Sequence, residues 1–346
     1  MKAAVLHGTK DVRFEEIVDP IIAENEILVK VRCSGICGSD IPRVLGKGAH
    51  YYPIILGHEF SGEVVEIGKL VKGVSVGERV VGAPLLPCHK CVDCLRGNYA
   101  QCKNYSFVGS REDGSWAQCV KIPAKNAVKL PLGVTYEQGA FFEPLTVALH
   151  GLFLMDFKGG VDVSIVGMGT IGLLTLQCAR NLGAKRITVF DIDDERLSTA
   201  NEYGADLCLN TSREGFKEML LDETHGRGFE MVVDTAGVQF TQKLCLEIAK
   251  NKGKVMFIST PTSNLTLSPK ECEQINRKEL TVQGSWMSYS SPFPGKEWEL
   301  AGHYLSKGLV NIDRLIDRII PLSEIGTAVR DLTMPGKVKG KILLRG

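Results

Sequence analysis

The chain has 346 residues, long enough to build more than one hydrophobic core. Its 41 Lys and Arg against 40 Asp and Glu leave a net charge of +1, which removes the electrostatic basis for a nucleic-acid or membrane-surface partner. No apolar run reaches the roughly 18 residues of a spanning helix. The opening residues lack a secretory-leader pattern, so the eleven cysteines are expected as reduced thiols in a cytoplasm.

From Met1 to about Pro131 the chain reads as short β segments, residues 27–33, 63–67 and 79–81 among them, parted by Gly- and Pro-bearing turns. That texture predicts an antiparallel, partly barrel-like domain. Inside it lie Cys37-Gly-Ser39-Asp40 and Gly57-His58-Glu59, joined later by Phe142-Glu143-Pro144. Mixed N, O and S donors suit a catalytic zinc, which needs only three protein ligands and keeps a position open. Arg43, Lys47, His50 and Tyr51 lie between the first two segments; a solvated basic loop and a phosphate-binding loop both fit them.

Cys88, Cys91, Cys94 and Cys102 follow in one short stretch. Regular two-residue gaps give no obvious disulfide pairing, whereas four thiolates close a tetrahedron around a structural zinc. The alternative is four unrelated loop cysteines. Cys33, Cys119, Cys178, Cys208, Cys245 and Cys272 are scattered among apolar neighbours and are expected as small buried hydrophobes.

After His150 strands and helices alternate, which implies parallel pairing through crossovers. Gly167-Met-Gly169-Thr170-Ile171-Gly172 follows an apolar strand and opens a helix, the context a dinucleotide fingerprint requires. Asp191 ends the next strand, where a carboxylate accepts from the adenosine ribose and repels a 2′-phosphate; NAD is therefore expected over NADP. Arg196 reads as a 2′-phosphate partner only against Asp193, Asp194 and Glu195 beside it.

In this order, these motifs resemble the zinc-dependent medium-chain alcohol/polyol dehydrogenases over essentially the whole chain. The resemblance implies an α/β protein: a GroES-like β-rich catalytic domain over 1–147, completed by 285–346, around a Rossmann doubly wound parallel sheet over 148–284. It implies two Zn²⁺ per chain, NAD, a small-molecule polyol or polyol-phosphate substrate, and a homodimer or homotetramer. Alcohol dehydrogenases of the family use a second cysteine as the third catalytic ligand. Here Glu143 stands at that point, as in the sorbitol dehydrogenase-like branch, so the expected set is Cys37, His58 and Glu143, with Glu59 exchangeable. The same resemblance implies Ser39 as first carrier of the substrate proton and Asp40 as the acceptor of the second His58 N–H. Mn²⁺ or Co²⁺ would compete at so hard a site.

Residues 46–53, 107–111 and 284–298 resemble the narrower group acting on sugar-alcohol phosphates. Arg43, Lys47 and His50 are then candidate phosphate ligands, with Arg111 and Lys296 further off, and Tyr51, Trp286 and Tyr289 candidate pocket walls. Free polyols, other secondary alcohols or threonine remain alternative substrates, and a non-catalytic nucleotide-sensing binder the alternative class.

Overall fold

The computed structural model describes residues 1–334 and 336–346, less the side chain of Glu223. The chain forms two compact units, Met1–Glu143 with Tyr289–Gly346 and, between them in sequence, Pro144–Ser288.

The first unit is β-rich. Its larger sheet runs Ala127–Lys129, Arg79–Gly82, Glu59–Ile67, Glu26–Gly35, Lys341–Arg345, Ile316–Pro321, with Cys119–Pro123 also paired to Glu26–Gly35. Ile27, Val29 and Val31 alternate along Glu26–Gly35 and pack against Phe60, Val64, Val80, Val120 and Ile122. Period-2 burial of this kind fixes the register, because a one-residue slip would turn the apolar set to solvent. The pairing is antiparallel except that Ile316–Pro321 lies parallel to Lys341–Arg345, so the expected purely antiparallel domain is in fact mixed. That parallel pair is closed by a crossover through the helix Ile325–Leu332, whose Ile325, Ala328 and Val329 are buried.

The second unit has a six-stranded, wholly parallel sheet in the order Leu207–Asn210, Arg186–Asp191, Asp162–Val166, Phe229–Asp234, Ala249–Phe257, Thr281–Gly284. The chain moves outward one way from Asp162–Val166 and then restarts on its other side. Such a reversal opens a crevice at the strand C-termini, where doubly wound sheets bind ligands. The α/β class is as expected. Of the six scattered cysteines, Cys33, Cys178 and Cys245 are buried, but Cys272 is exposed. The helix Pro269–Arg277 that carries it buries none of its residues, so nothing there covers a thiol.

Among the described residues no helix is long and apolar enough to cross a membrane.

Candidate active site and metal centres

Sulfur geometry decides the four-cysteine loop. Cys88 and Cys94 Sγ are 4.0 Å apart and Cys91 and Cys102 Sγ 3.9 Å, far beyond a disulfide bond. A tetrahedron with Zn–S bonds of 2.3 Å has an edge of about 3.8 Å, so these separations fit a zinc-sized cation. Backbone donors support thiolates: Cys88 N–H points at Cys102 Sγ (3.4 Å) and Cys94 N–H at Cys91 Sγ (3.5 Å), the latter capping the short helix Val92–Leu95. The loop is braced from the C-terminal part of its own unit. His89 and Tyr99 each meet the Phe293 ring edge-on, at 5.4 and 5.3 Å, and Phe293 stacks on Tyr289 at 5.6 Å.

The second donor group is built where two strands meet. Glu59 opens the strand Glu59–Ile67 and its Cα pairs with Gly35 at the end of Glu26–Gly35. Just beyond, Cys37 precedes the helical turn Asp40–Val44, and Gly57, at φ +93°, turns the chain so that His58 and Glu59 enter from the other side. Donor atoms of Cys37, His58 and Glu59 all lie within 4.8 Å of one another. Phe107 packs edge-on against the His58 ring at 5.5 Å.

Charge in this group is lopsided. The His58 imidazole is buried, which disfavours its proton, yet the Asp40 carboxylate and Cys37 thiolate outweigh burial and hold its pKa well above the ordinary value. Glu143, in the first turn of the helix Phe142–Leu154, is pushed up to about 7, first by burial and then by Glu59 and Asp40, against the pull of His58 and Lys341. Carboxyls crowded until one resists ionisation are what a dication would relieve, so the residues fit a divalent metal.

Sequence reasoning passed over Lys341. Its buried ammonium lies 2.5 Å from Glu59 Oε2 and 3.4 Å from the Ile36 carbonyl. Gly35 makes the room: a Cβ there would sit 2.4 Å from Glu59 Oε2 and 3.0 Å from Lys341 Cδ. A lone lysine in a terminal apolar strand was the available signal, since ammonium groups are seldom buried unpaired.

The remaining expected site residues fall as follows. Asp40 is fully buried; its Oδ2 accepts from Cys37 N–H at 3.2 Å, while its Oδ1 is 3.5 Å from His58 Nδ1, too long for a hydrogen bond. Ser39 Oγ donates to Cys37 Sγ at 3.3 Å and accepts from Arg43 Nη1 at 3.1 Å. Glu143 stands outside the tight donor group and Glu59 within it, the reverse of the emphasis expected. Lys47 and His50 are exposed, and Tyr51 donates to the Arg111 carbonyl at 3.1 Å. Tyr289 is buried with its hydroxyl accepting from Leu85 N–H at 3.0 Å, and Trp286, in the other unit, is exposed.

The glycine loop in the second unit separates its three tasks. Gly167 has φ +98°, a left-handed conformation that a side chain would strain. A Cβ on Gly172 would meet the Gly167 carbonyl oxygen at 1.9 Å, so the helix Thr170–Asn181 lies as close to the strand as a bare backbone allows. A Cβ on Gly169 would meet nothing within 4 Å; that open side, at the helix N-terminus of Thr170 and Ile171, fits a pyrophosphate. Asp191 braces the loop by accepting from Met168 N–H at 2.6 Å, and also from Ile192 and Asp193 N–H at 2.8 and 2.9 Å. A carboxylate offers about four acceptor sites, so one remains for a ribose hydroxyl. Arg196 has a buried Nε without a partner.

Two family models match the chain: the alcohol dehydrogenase GroES-like domain over residues 23–132 and the zinc-binding dehydrogenase over 170–302. Galactitol 1-phosphate 5-dehydrogenase of Escherichia coli K12 is 43% identical over 342 residues, covering 98% of this chain and 99% of that one. The sorbitol dehydrogenase of Bombyx mori is 34% identical over 352 residues, covering 99% and 97%. The crystal structure of galactitol-1-phosphate dehydrogenase from Escherichia coli superposes with a TM-score of 0.95 at 42% identity, covering all of both chains. Identity sustained from end to end, with the sulfur cage and the glycine loop both present, places this chain in the zinc-dependent medium-chain alcohol dehydrogenase family, as an oxidoreductase of polyol type.

Proposed function

We propose that the protein oxidises a sugar-alcohol phosphate at a secondary hydroxyl with NAD as acceptor, galactitol 1-phosphate to L-tagatose 6-phosphate first among candidates. The observation that carries the reading is the 43% identity to galactitol 1-phosphate 5-dehydrogenase over nearly the full length of both chains. Two zinc ions per chain belong to it: one held by Cys88, Cys91, Cys94 and Cys102, the other by Cys37, His58 and Glu59, with Glu143 the exchangeable neighbour.

Zinc in the mixed site supplies Lewis acidity towards the substrate hydroxyl, and NAD supplies the hydride acceptor. The chain's own groups do the rest. Ser39 Oγ, bonded to Cys37 Sγ and Arg43, is placed to pass on the hydroxyl proton. Asp40 faces His58 Nδ1 and leaves Nε2 as the metal-facing nitrogen. Lys341 neutralises Glu59 and limits how strongly that carboxylate is drawn to a cation. Asp191 favours NAD by offering an acceptor where NADP carries a phosphate. The enzyme is expected to work as a homodimer or homotetramer.

The test is NAD reduction by the zinc-loaded enzyme with galactitol 1-phosphate and galactitol side by side. A kcat/KM at least about tenfold higher for the phosphate supports the reading. Equal values, or a preference for sorbitol in the same assay, would sink it in favour of a free-polyol dehydrogenase.

A further inference from the structure

Three cations converge near Cys37. Arg43 is anchored at one end, its Nη1 donating to the Ser39 carbonyl (2.8 Å), Ser39 Oγ (3.1 Å) and Asp40 Oδ1 (3.3 Å). Its Nε is buried without a partner. Arg111 lies 4.6 Å over the Tyr105 ring, and its backbone carbonyl is held by Tyr51. His50 lies in the field of both arginines, which with burial keeps its proton affinity low. All three belong to the first unit.

Nothing on the protein balances this charge. The carboxylates nearest in sequence to Arg111 are committed, Glu112 to the Ser106 hydroxyl (2.8 Å) and Asp113 to Ile55 N–H (3.0 Å). Asp40 is shared with Cys37 N–H and faces His58. Among the described residues neither His50 nor Arg111 has a carboxylate at ion-pair distance. Gathering like charges without counter-ions is unfavourable unless an anion completes the group, and guanidinium forks match a phosphate's oxygens. Lys47 is exposed and does not act on His50.

We propose that Arg43, His50 and Arg111 form an anion subsite holding the phosphate monoester of the substrate while its hydroxyl reaches the Cys37–His58–Glu59 centre. This rests on the reading of that centre as the place of alcohol oxidation. Arg43 also supports Ser39, so its removal would disturb both functions. Arg111 is free of the metal-side hydrogen bonds and sets the preference for phosphorylated over free polyol.

Arg111→Ala, Arg111→Lys and His50→Asn are compared with the parent, all zinc-loaded, on galactitol 1-phosphate and galactitol, with inorganic phosphate as competitor. The preference ratio in kcat/KM should fall about 10- to 100-fold in Arg111→Ala, the scale of one or two charge-assisted hydrogen bonds. Arg111→Lys should recover part of it. Phosphate should compete with the sugar-alcohol phosphate and not with NAD. A ratio unchanged in Arg111→Ala and His50→Asn, while the parent prefers the phosphate, overturns the subsite alone. Competition by phosphate against NAD assigns the cations to the cofactor and also overturns it. A parent without any preference overturns the substrate reading, and the subsite with it.

Discussion

Replacing Lys341 with Met tests whether the buried ion pair governs the mixed donor site. The pair is nearly solvent-free, with side-chain exposures of 6% and 3% for Lys341 and Glu59, and its N–O separation is 2.5 Å. At an effective dielectric of about 20 the gross attraction is about 7 kcal/mol. Methionine fills much of the lysine volume and removes the desolvation cost of the ammonium, so the net loss is that of leaving one buried carboxylate unpaired, about 3–5 kcal/mol. For a domain of this size that lowers the melting temperature by about 6–20 °C. A divalent cation beside Glu59 would replace the missing positive charge. The fall should therefore be full in chelator-treated protein and at least halved after zinc is restored. Differential scanning calorimetry on both forms reads the two values. A fall below about 2 °C without metal, or the same fall with and without it, would refute the argument that Lys341 and the metal share one carboxylate.

The other predictions follow from single contacts. Asp206 tends upward with burial, but the Ile187 N–H and the Arg180 guanidinium outweigh that and lower its pKa. The stability it lends is present above the unfolded carboxylate pKa and lost as pH falls through the lower folded value. Asp206→Ala should thus cost about 1–3 kcal/mol near pH 7, with the gap to the parent closing at acidic pH in urea titrations; a gap independent of pH would contradict it. Asp191→Ala removes the brace on Met168 N–H and the repulsion of a 2′-phosphate. Its kcat/KM with NAD should fall at least about tenfold while NADP loses less, and a uniform fall for both cofactors counts against the ribose role. Cys94→Ser should lower heat stability and zinc content from two towards one ion per chain before it alters turnover at 25 °C; unchanged heat stability would deny the loop its bracing task. In Gly35→Ala the new methyl must displace Glu59 or Lys341, so zinc affinity in a chelator competition should drop with little change in the sulfur cage, and an unaltered affinity would mean the strand simply yields.

Some of this organisation is legible in the sequence because it is local. The tasks of Gly167, Gly169 and Gly172 are set by backbone within a few residues, and four closely spaced cysteines bring their sulfurs together whatever surrounds them. The parallel sheet is legible too, since continuous apolar strands separated by helices admit few other arrangements. The mixed metal site is less so. Cys37 and His58 announce donors, but the sequence holds both Glu59 and Glu143, and the nearer one follows from strand register at Gly35 and from a lysine 282 residues away. Ile316–Pro321, half-buried residue by residue, takes its place only from the neighbouring Lys341–Arg345, which no local pattern shows. Arg111 likewise becomes interesting only when Glu112 and Asp113 are found bonded elsewhere.

The placement of Lys341–Arg345 between Glu26–Gly35 and Ile316–Pro321 has a consequence in time. Ribosomes add about 5–20 residues per second, so the 282 residues from Glu59 to Lys341 take about 15–55 s to make. Over that interval the sheet of the first unit lacks an interior strand and the thiols of the nascent segment stand open. The second unit, made of one continuous stretch, is complete while the first still waits. Metal capture by Cys88, Cys91, Cys94 and Cys102 needs no late residue, whereas Glu59 gains its counter-ion last. The order of synthesis thus sets an order of metallation, cage first and mixed site last, and a nascent chain starved of zinc is most exposed to thiol oxidation before its final strand arrives.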